Sequence, residues 1–349
     1  MKNKFLITVT TVFVTIFLWI LYLNFFDSKN VNYRFFERKY NNTTKVLTLL
    51  KLNKKMSKLN YIDNVPSNDS IIEMDKELEE GGSMKCHFYC CDFDFKKIKI
   101  KQIILPKNCN VIFYNNNKAF YTKEFQFYSC NLFNNKITKY NLENFKIASI
   151  KFLYNSKNEF IAFGEIKQNN MFNTGFFKID LDNNVIVPIK IVSKNNESQF
   201  LANTLKYTGD FSYFIYEKVF SYTCDKSANI YFFNEQGIYI KEMTTNDNAP
   251  LPQILTNEKG DSFYGREGTW NTNTGIFLKN NFVYIFSSRS KEKYDLVLDK
   301  YSYTTKKYIE SFKIRCNEYS SRDITNMFFK NDLLIVTFTT DYASFKFSR

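Results

Sequence analysis

The chain is poor in glycine, proline and histidine, with ten Gly, five Pro and one His among 349 residues. It contains no glycine-rich phosphate loop and no dinucleotide-binding fingerprint, which disfavours nucleotide-dependent activities. Ser-His-Asp and Cys-His catalysis both require an imidazole base that the fold positions. The only histidine, His87, directly follows Cys86, an arrangement that rarely gives a usable dyad. We therefore predict no catalytic residues and no cofactor.

Arginine is also scarce, because only seven of the 48 basic residues are arginines although the net charge is +13. Lysine lacks the planar fork with which arginine binds phosphates through two hydrogen bonds. The lysines are scattered along the chain and do not form a stripe. This pattern predicts a solvated basic surface and no nucleic-acid partner, with an auxiliary attraction to anionic lipid headgroups as the alternative.

Long apolar runs are absent with one exception, the uncharged and proline-free residues 5–26. A helix of this length is about 33 Å long, enough to cross a hydrocarbon core of about 30 Å. A cleaved signal peptide would have a shorter apolar core that ends at a small-residue cleavage site. Leu23–Asp27 offers no such site, so the run predicts an uncleaved transmembrane helix whose partner is the lipid bilayer.

The charges that flank the apolar run predict how the chain is oriented in the membrane. Residues 1–4 include two lysines, which favours a cytoplasmic tail and a body outside the cytoplasm, on the periplasmic side. Basic residues in the juxtamembrane tether, 27–45, oppose this orientation; those nearer the apolar run are Lys29, Arg34, Arg38 and Lys39. We predict a single-pass membrane protein whose remaining residues, 46–349, form one extracytoplasmic domain.

The body is rich in aromatic residues and alternates with a period of two, which predicts an all-β fold. Turn-forming residues separate pairs of strands, and three hairpins are predicted, 160–167 with 175–181, 228–233 with 238–243, and 282–288 with 296–302. Asp180, Asp182 and Asn183 lack the glycine and glutamate of a Ca²⁺ loop and predict a turn. A short charged segment, Asp75 to Glu80, is the only sizeable helical candidate and is expected to belong to a loop.

The strands recur in units of roughly 45 residues. The units are 46–105, 110–144, 148–192, 199–247, 268–315 and 324–348. The last unit is short, as in a propeller whose final blade is completed by a strand from the other end of the chain. The pattern predicts a six-bladed β-propeller, with two stacked β domains as the alternative.

Three segments resemble a group of membrane-anchored bacterial TolB-like six-bladed β-propeller proteins. The segments are KVLTLLKLNKKMSKLNYIDNVPSNDSIIEM, KYTGDFSYFIYEKVFSYTCDKSANIYFFNEQGIYIKEM and NFVYIFSSRSKEKYDLVLDKYSYTTKKYIESFKI. The chain departs from the group at Tyr61–Asn64, where relatives often have an aromatic pair, Ile, and then a small residue with Gly. The resemblance implies a propeller and a membrane anchor, but no activity and no site residues.

The densest cluster of potential metal ligands comprises Cys86, His87, Cys90 and Cys91. Sulfur and imidazole could bind Zn²⁺ or Cu(I), but on a strand Cys86 and Cys90 lie about 13 Å apart, and the other two residues point to the opposite face. We therefore predict free thiols and no metal, and keep a metal, thiol or redox site at these residues as the alternative. The seven cysteines are an odd number, and a disulfide among the first five is expected if the body lies outside the cytoplasm.

Residues Gly265–Trp270 are similar to the recurring turn of sialidase propellers, but their spacing differs and the motif occurs once. We predict a structural turn whose neighbours Asp261, Arg266, Glu267 and Trp270 face an opening and bind a ligand. The chain is thus expected to be a tethered binding module for a protein or a small molecule. The alternative is an extracytoplasmic enzyme, hydrolase-like, whose site is assembled from loops of several blades.

Overall fold

A computed structural model describes the chain between Phe36 and Phe347. The described residues are 36–41, 46–54, 60–61, 70–78, 84–92, 97–106, 109–114, 118–124, 126–142, 144–153, 156, 158–265, 269–289, 295–316, 319–330, 332–338 and 341–347. The predicted membrane span, 5–26, lies outside these residues. Within them, no helix is both long enough and apolar enough to cross a membrane.

The described part of the chain is almost entirely β-structure. Its α-helix, α1, spans Phe200–Lys206, and Ser321–Asp323 form a turn of 3-10 helix. The strands are β1 (Leu47–Lys54), β2 (Asn60–Tyr61), β3 (Ser70–Leu78), β4 (Met84–Asp92), β5 (Lys97–Leu105), β6 (Asn110–Tyr114), β7 (Lys118–Lys123), β8 (Gln126–Asn131), β9 (Ile137–Tyr140), β10 (Phe145–Phe152), β11 (Glu159–Gln168), β12 (Met171–Asp180), β13 (Val185–Asn195), β14 (Gly209–Phe214), β15 (Val219–Cys224), β16 (Asn229–Asn234), β17 (Tyr239–Thr244), β18 (Ile254–Thr256), β19 (Ser262–Tyr264), β20 (Asn273–Lys279), β21 (Phe282–Ser287), β22 (Asp295–Ser302), β23 (Tyr308–Arg315), β24 (Asn326–Lys330), β25 (Leu333–Thr337) and β26 (Asp341–Phe347).

Five of the sheets are antiparallel meanders of four consecutive strands, and β18 and β19 form a separate hairpin. The meanders are β2–β5, β6–β9, β10–β13, β14–β17 and β20–β23. The three predicted hairpins are confirmed by the pairing of β11 with β12, β16 with β17, and β21 with β22. The predicted turn at Asp180 is also confirmed, because its carboxylate accepts hydrogen bonds from the backbone of Asp182 and Asn183.

A sixth four-stranded sheet joins the two ends of the described chain, in the order β1-β26-β25-β24. β1 runs antiparallel to β26, with Leu47 opposite Phe347 and Lys54 opposite Asp341. The first strands of successive sheets also contact one another, in the series β6, β10, β14, β20 and β24. This adjacency of first strands positions the candidate site.

Two local predictions differ from the structure. Asp75–Glu80 was expected to be a helical segment in a loop, but Asp75–Leu78 belong to β3 and pair with β4. Pairing in the sheet satisfies backbone groups that a single isolated helical turn would leave open. Conversely, α1 was not predicted, because its seven residues are too few to reveal a helical period inside a segment rich in strands.

The start of α1 is held by a buried carboxylate. Glu165 of β11 is 2% exposed and accepts hydrogen bonds from Ser198 Oγ at 2.5 Å, Thr174 Oγ1 at 3.2 Å and the backbone N–H of Gln199 at 3.2 Å. Asn203 of α1 also donates to Thr174 Oγ1 at 2.9 Å. A buried carboxylate needs such donors, so this network holds the short helix against β11 and β12.

Aromatic side chains fill the space between neighbouring sheets. The clearest case is Phe176 of β12, which is fully buried and contacts rings from its own sheet and from the next one. Its ring centre lies between 4.9 and 6.1 Å from those of five other aromatic residues, Phe211, Tyr222, Tyr231 and Phe233, and, at 5.2 Å, Phe163. Part of the high aromatic content of the sequence therefore joins one sheet to the next.

Residues 36–41, which we call the stem, pack against the sheet β20–β23. The Arg38 guanidinium forms two hydrogen bonds with the Asp299 carboxylate, at 2.9 and 3.0 Å, and a third with Ser287 Oγ at 2.8 Å. The two charged side chains are only 4% and 3% exposed. Asn41 N–H donates to Ser311 O, and Ser311 N–H donates to Lys39 O, both at 2.9 Å.

The stem changes the interpretation of one basic residue. Arg38 was predicted to be part of a tether whose charges oppose the favoured membrane orientation. Its guanidinium is instead neutralised inside the protein, so it is not available to lipid headgroups. Residues 36–41 of the predicted tether thus pack on the folded body.

Candidate functional site

A cavity of about 270 Å³ lies between the first strands of neighbouring sheets, β10, β14, β20 and β24. Most of the side chains around it are polar or charged. The lining residues are Ser149, Ile150, Lys151, Asp210, Phe211, Ser212, Thr223, Asp225, Asn273, Thr274, Gly275, Ile276, Thr325 and Met327. We call this cavity the channel pocket.

Two carboxylates lie on the same side of the channel pocket. Asp210 of β14 pairs with Thr223 of β15 in the sheet, and Asp225 directly follows the end of β15. Gly209 lets the backbones of β14 and β15 approach closely, because a Cβ atom at this position would lie 2.2 Å from the Thr223 carbonyl oxygen. Asp210 is exposed at the opening of the pocket, whereas Asp225 is partly buried.

The backbone around Asp225 is fixed on both sides. Its N–H donates to Thr208 O at 2.8 Å, and its carbonyl oxygen accepts from the Thr272 N–H at 2.7 Å and from Thr272 Oγ1 at 3.1 Å. Thr208 precedes β14, and Thr272 precedes β20. Asp225 is therefore held where two neighbouring sheets meet.

The environment of Asp225 favours its protonated form. The pKa of the Asp225 carboxyl is raised to about 7; burial is the largest cause, the negative charge of Asp210 also raises it, and Lys226 acts in the opposite direction. Lys226 is the adjacent cation, but its ammonium group donates to Asn271 Oδ1 and lies 5.5 Å from the centre of the Tyr264 ring. The carboxyl group therefore changes charge near neutral pH.

This raised pKa predicts a pH-dependent stability. The folded chain holds the Asp225 proton up to about pH 7, whereas the unfolded chain releases it near pH 4, so Asp225 lowers the stability as pH rises through this interval. We expect Asp225→Asn to be more stable than the wild type at pH 8 by on the order of 2 kcal/mol, and nearly equal to it at pH 4. Urea denaturation of both proteins at the two pH values measures the effect. An equal difference at both pH values would contradict it.

Two buried polar atoms, on residues that line the channel pocket, have no hydrogen-bond partner within the described residues. They are Asn273 Oδ1 and Thr223 Oγ1, on side chains that are 2% and 6% exposed. The amide nitrogen of Asn273 donates to Cys224 O at 3.2 Å and to Ser227 O at 3.1 Å, which fixes the orientation of the amide. Buried polar atoms without partners are costly, and such atoms also occur away from the pocket, for example Ser221 Oγ.

The helix α1 and the hairpin β18–β19 contact each other beside the carboxylate side of the pocket. Tyr264 of β19 donates a hydrogen bond to Leu205 O at 3.0 Å, and its hydroxyl lies 3.0 Å from Thr208 Oγ1. Thr208 O also accepts a hydrogen bond from the Asp225 N–H, so Thr208 links the hairpin β18–β19 to a residue that lines the pocket.

The two described residues of the predicted ligand site, Asp261 and Trp270, lie elsewhere. Asp261 is in the exposed turn between β18 and β19, where its carboxylate accepts from Asn257 Nδ2 at 3.0 Å. Trp270 packs on the buried Arg289, with the guanidinium carbon 5.0 Å from its ring. Arg266 and Glu267 lie outside the described residues. Neither Asp261 nor Trp270 lines the channel pocket, and this predicted ligand site stays a prediction.

The cysteine cluster lies on β4. Cys86 and His87 are both buried, and Cys90 and Cys91 follow on the same strand. Among the described side chains, no three His, Cys, Asp or Glu residues come together in a way that could hold a metal ion. The five cysteines whose side chains are described are buried thiols, Cys86, Cys109, Cys130, Cys224 and Cys316. None of these forms the expected disulfide.

The sequence contained a weak signal for the channel pocket. Asp210 and Asp225 stand beside apolar strands, in Thr-Gly-Asp-Phe and Thr-Cys-Asp-Lys, and Asn273 stands at the start of β20. Polar residues are common where strands end, so this signal alone does not single out the pocket. The three residues span 64 positions of the sequence, so their proximity depends on how the sheets are arranged.

Comparisons with models of known protein families and with curated proteins find no match. Solved structures of propeller-like fold are similar at low identity. A member of the DUF4221 family from Bacteroides vulgatus has a TM-score of 0.45 at 11% identity, covering 86% of this chain and 97% of its own. Sqt1 from Saccharomyces cerevisiae has 0.43 at 8%, covering 83% and 73%. A streptogramin B lyase has 0.40 at 10%, covering 85% and 98%.

Proposed function

We propose that this protein is a six-bladed β-propeller, anchored in a membrane by residues 5–26, that binds a small polar ligand in its channel pocket. Support for the propeller comes from the six four-stranded sheets, the serial contacts of their first strands, and the pairing of β1 with β26. Propellers place their first strands around a central channel, which is where the channel pocket would then lie.

A single observation carries the binding function, namely the unused hydrogen-bonding capacity of two residues that line the pocket. Asn273 Oδ1 and Thr223 Oγ1 are buried without partners among the described residues. A buried polar group that lacks a partner costs about 1–3 kcal/mol, and a ligand that supplies the missing hydrogen bonds recovers this cost. Cavities that orient ligands typically combine such a few convergent polar groups.

The anchor and the stem together would hold the body close to the membrane. Only nine residues, 27–35, separate the predicted span from the stem, and an extended chain of this length reaches about 30 Å. We propose that the body faces the periplasm. A membrane fraction that releases the protein into carbonate buffer, or a mature chain that starts after residue 26, would contradict the anchor.

A second candidate function is an extracytoplasmic enzyme, and one observation favours it. Asp225 has a pKa of about 7 and lies on the same side of the pocket as Asp210. A carboxyl group that is partly protonated at neutral pH can act as a general acid or base. To distinguish the two functions, the protein is incubated with a small molecule that binds it, and the recovered molecule is analysed by mass spectrometry. A binding protein leaves the molecule unchanged, whereas an enzyme converts it.

Thr223→Val provides the test of the binding function. The substitution keeps the side-chain shape and removes a buried hydroxyl that has no partner in the described protein, so we expect the variant to be as stable as the wild type or more stable. The full-length chain in detergent micelles is screened by thermal denaturation with three classes of probe: amines, carboxylates and neutral polyols. We expect one class to raise the melting temperature of the wild type by several degrees.

Ser221→Ala is the matched control, because Ser221 Oγ on the same strand is also buried and without a partner within the described chain but does not line the pocket. Ser221→Ala should retain the ligand-induced rise in melting temperature, whereas Thr223→Val should lose it. Absence of any shift with all three classes, or an equal shift in both variants, would contradict binding in the channel pocket.

A further inference from the structure

We infer that one face of the body rests on an anionic lipid bilayer, through apolar side chains and lysines in the turns of its hairpins. This inference rests on the proposed propeller and anchor, and it specifies which surface of the body meets the membrane. Three observations support it, namely the common position of the turns, the place where the stem begins, and the side chains that the turns expose.

The turns after the first and the third strand of each meander lie at the same end of the sheet, because consecutive strands run in opposite directions. We call the surface that these turns form the turn face. The turns of this face that are described in full are 132–136, 181–184, 215–218, 235–238, 280–281 and 303–307.

Contacts between neighbouring sheets bring these turns to one side of the body. A Cβ atom on Gly237 would lie 3.3 Å from Leu153 Cδ1, so the last turn of the sheet β14–β17 adjoins the end of β10. Lys241 of β17 packs on Tyr303 in the last turn of the sheet β20–β23, with Nζ 3.3 Å from the ring centre. The sheet β6–β9 has the same strand order and its first strand contacts β10, so in the proposed propeller the turn 132–136 lies on this side as well.

The stem begins beside the turn face. Tyr40 pairs with Ser311 in parallel, so the stem runs in the same direction as β23. The first described residue of the stem, Phe36, packs on Tyr308 at the start of β23, with ring centres 5.2 Å apart. The predicted span is joined to the stem by residues 27–35, which reach about 30 Å when extended. The anchor would therefore hold the turn face close to the bilayer.

The turn face exposes large apolar side chains. Phe133, Tyr216 and Ile238 are 77%, 63% and 61% exposed, the highest values among the large hydrophobic side chains that are described. A single exposed apolar residue is ordinary on a protein surface. These three belong to three different turns of one face, and rings and aliphatic side chains in such positions can enter the headgroup region of a bilayer.

The exposed charges of these turns are mostly positive. Four lysines are exposed, and the one exposed carboxylate is that of Asp182; the lysines are Lys136, Lys218, Lys306 and Lys307. Glu217 and Glu235 are partly buried, and the Glu235 carboxylate lies 3.8 Å from Lys218 Nζ. Lysines near the surface of an anionic bilayer are attracted to its headgroups.

At the other ends of the strands, exposed carboxylates accompany the cations. Glu197 follows Lys194 after β13, and Glu258 precedes Lys259 in the hairpin β18–β19. Asp225 also belongs to this side, because it follows the end of β15, whereas Tyr216 lies in the turn before its start. With the turn face on the bilayer, Asp225 is directed away from the membrane.

The test measures which side of the body lies at the bilayer surface, in the full-length chain reconstituted into lipid nanodiscs. The fluorescent amino acid dansylalanine replaces Phe133 in one variant and Phe263 of β19 in the other. Phe263 is the matched control, because it is 47% exposed but lies at the other ends of the strands. Lipids with a spin label on the headgroup quench a fluorophore near the bilayer surface. In discs that contain phosphatidylglycerol, we expect quenching of Phe133→dansylalanine to exceed that of Phe263→dansylalanine by about twofold or more.

The contribution of charge is tested with two double variants of the chain that carries the probe at position 133. Lys306→Gln with Lys307→Gln should reduce the quenching by roughly half in phosphatidylglycerol discs. Lys194→Gln with Lys259→Gln removes the same charge from the other side and should leave the quenching unchanged. A higher salt concentration should act like the first double variant, because salt screens exposed charges.

The outcomes separate the docking from the anchor and from the pocket. Equal quenching at the two positions, or stronger quenching at Phe263, in a chain that stays in the discs overturns the docking and leaves the anchor. A chain that does not enter the discs overturns both. Equal quenching at Phe133 in discs of phosphatidylcholine alone overturns the preference for anionic lipid. A blue shift of the Phe133 probe that grows with protein concentration in lipid-free micelles would mean that a second copy covers the face, and would overturn the assignment to lipid. No pocket ligand is present in these experiments, so they do not depend on the binding function.

Discussion

Arg38→Ala should destabilise the protein by about 3–5 kcal/mol, because it leaves the Asp299 carboxylate buried without its cation. The pair lies in the interior, with side chains 4% and 3% exposed, and the guanidinium makes two bonds to the carboxylate and one to Ser287 Oγ. Arg38→Lys should recover only part of the loss, since a lysine cannot reproduce the planar geometry. The free energy of unfolding of the full-length chain, from urea denaturation in detergent micelles, measures both effects.

Arg315→Ala is the matched control, because Arg315 lies exposed at the end of β23 in the same sheet. Its effect should remain within about 0.5 kcal/mol. The double variant Arg38→Met with Asp299→Leu should recover much of the lost stability, since it removes both charges and leaves apolar side chains in their place. A loss of less than 1 kcal/mol in Arg38→Ala would mean that the stem does not contribute to the folded body.

Phe176→Ala should cost about 3–5 kcal/mol, the other large effect that the structure predicts. The ring is fully buried at the junction between the sheets β10–β13 and β14–β17, where it contacts five aromatic neighbours. Its removal leaves a cavity that rigid rings from two sheets cannot easily fill. Phe176→Leu, which retains most of the apolar volume, should cost clearly less.

Phe133→Ala provides the comparison at an exposed position, because Phe133 lies in the turn between β8 and β9 and is 77% exposed. We expect a change of less than about 0.5 kcal/mol in its free energy of unfolding. Both variants remove one phenyl ring, Phe176→Ala from a buried junction between two sheets and Phe133→Ala from an exposed turn. Similar losses in both would contradict the role of aromatic packing between sheets.

The strands of this protein could be predicted from the sequence because their signals are local. The alternation of apolar and polar residues in Gly175–Asp180, for example, is contained within one hairpin, and the pairing of β11 with β12 followed from it. The charged segment at Asp75 carried no such alternation. Its partner strand β4 supplies the hydrogen bonds that decide its conformation, and this information is not local.

The channel pocket and the stem could not be predicted for the same physical reason. Arg38 looked like one more basic residue near a membrane span, because its partner Asp299 lies 261 residues further along the chain. Asp210, Asp225 and Asn273 belong to different sheets or to the segments that join them. The predicted ligand residues around Asp261 and Trp270 were close in sequence, yet one lies in a turn and the other packs on Arg289.

The pairing of β1 with β26 has a consequence for the order in which the chain folds. Each meander can form from neighbouring strands, but Leu47 meets Phe347 only after about 300 residues have been brought together. Closing a loop of this length costs about 3 kcal/mol more conformational entropy than closing a ten-residue hairpin. This entropic cost is lower once the intervening sheets have folded and brought the two strands close together. We therefore expect β1, the strand next to the stem, to pair with β26 late in folding. Until it does, the edge of β26 carries unpaired backbone groups, and the protein is most exposed to association with other chains during this final step.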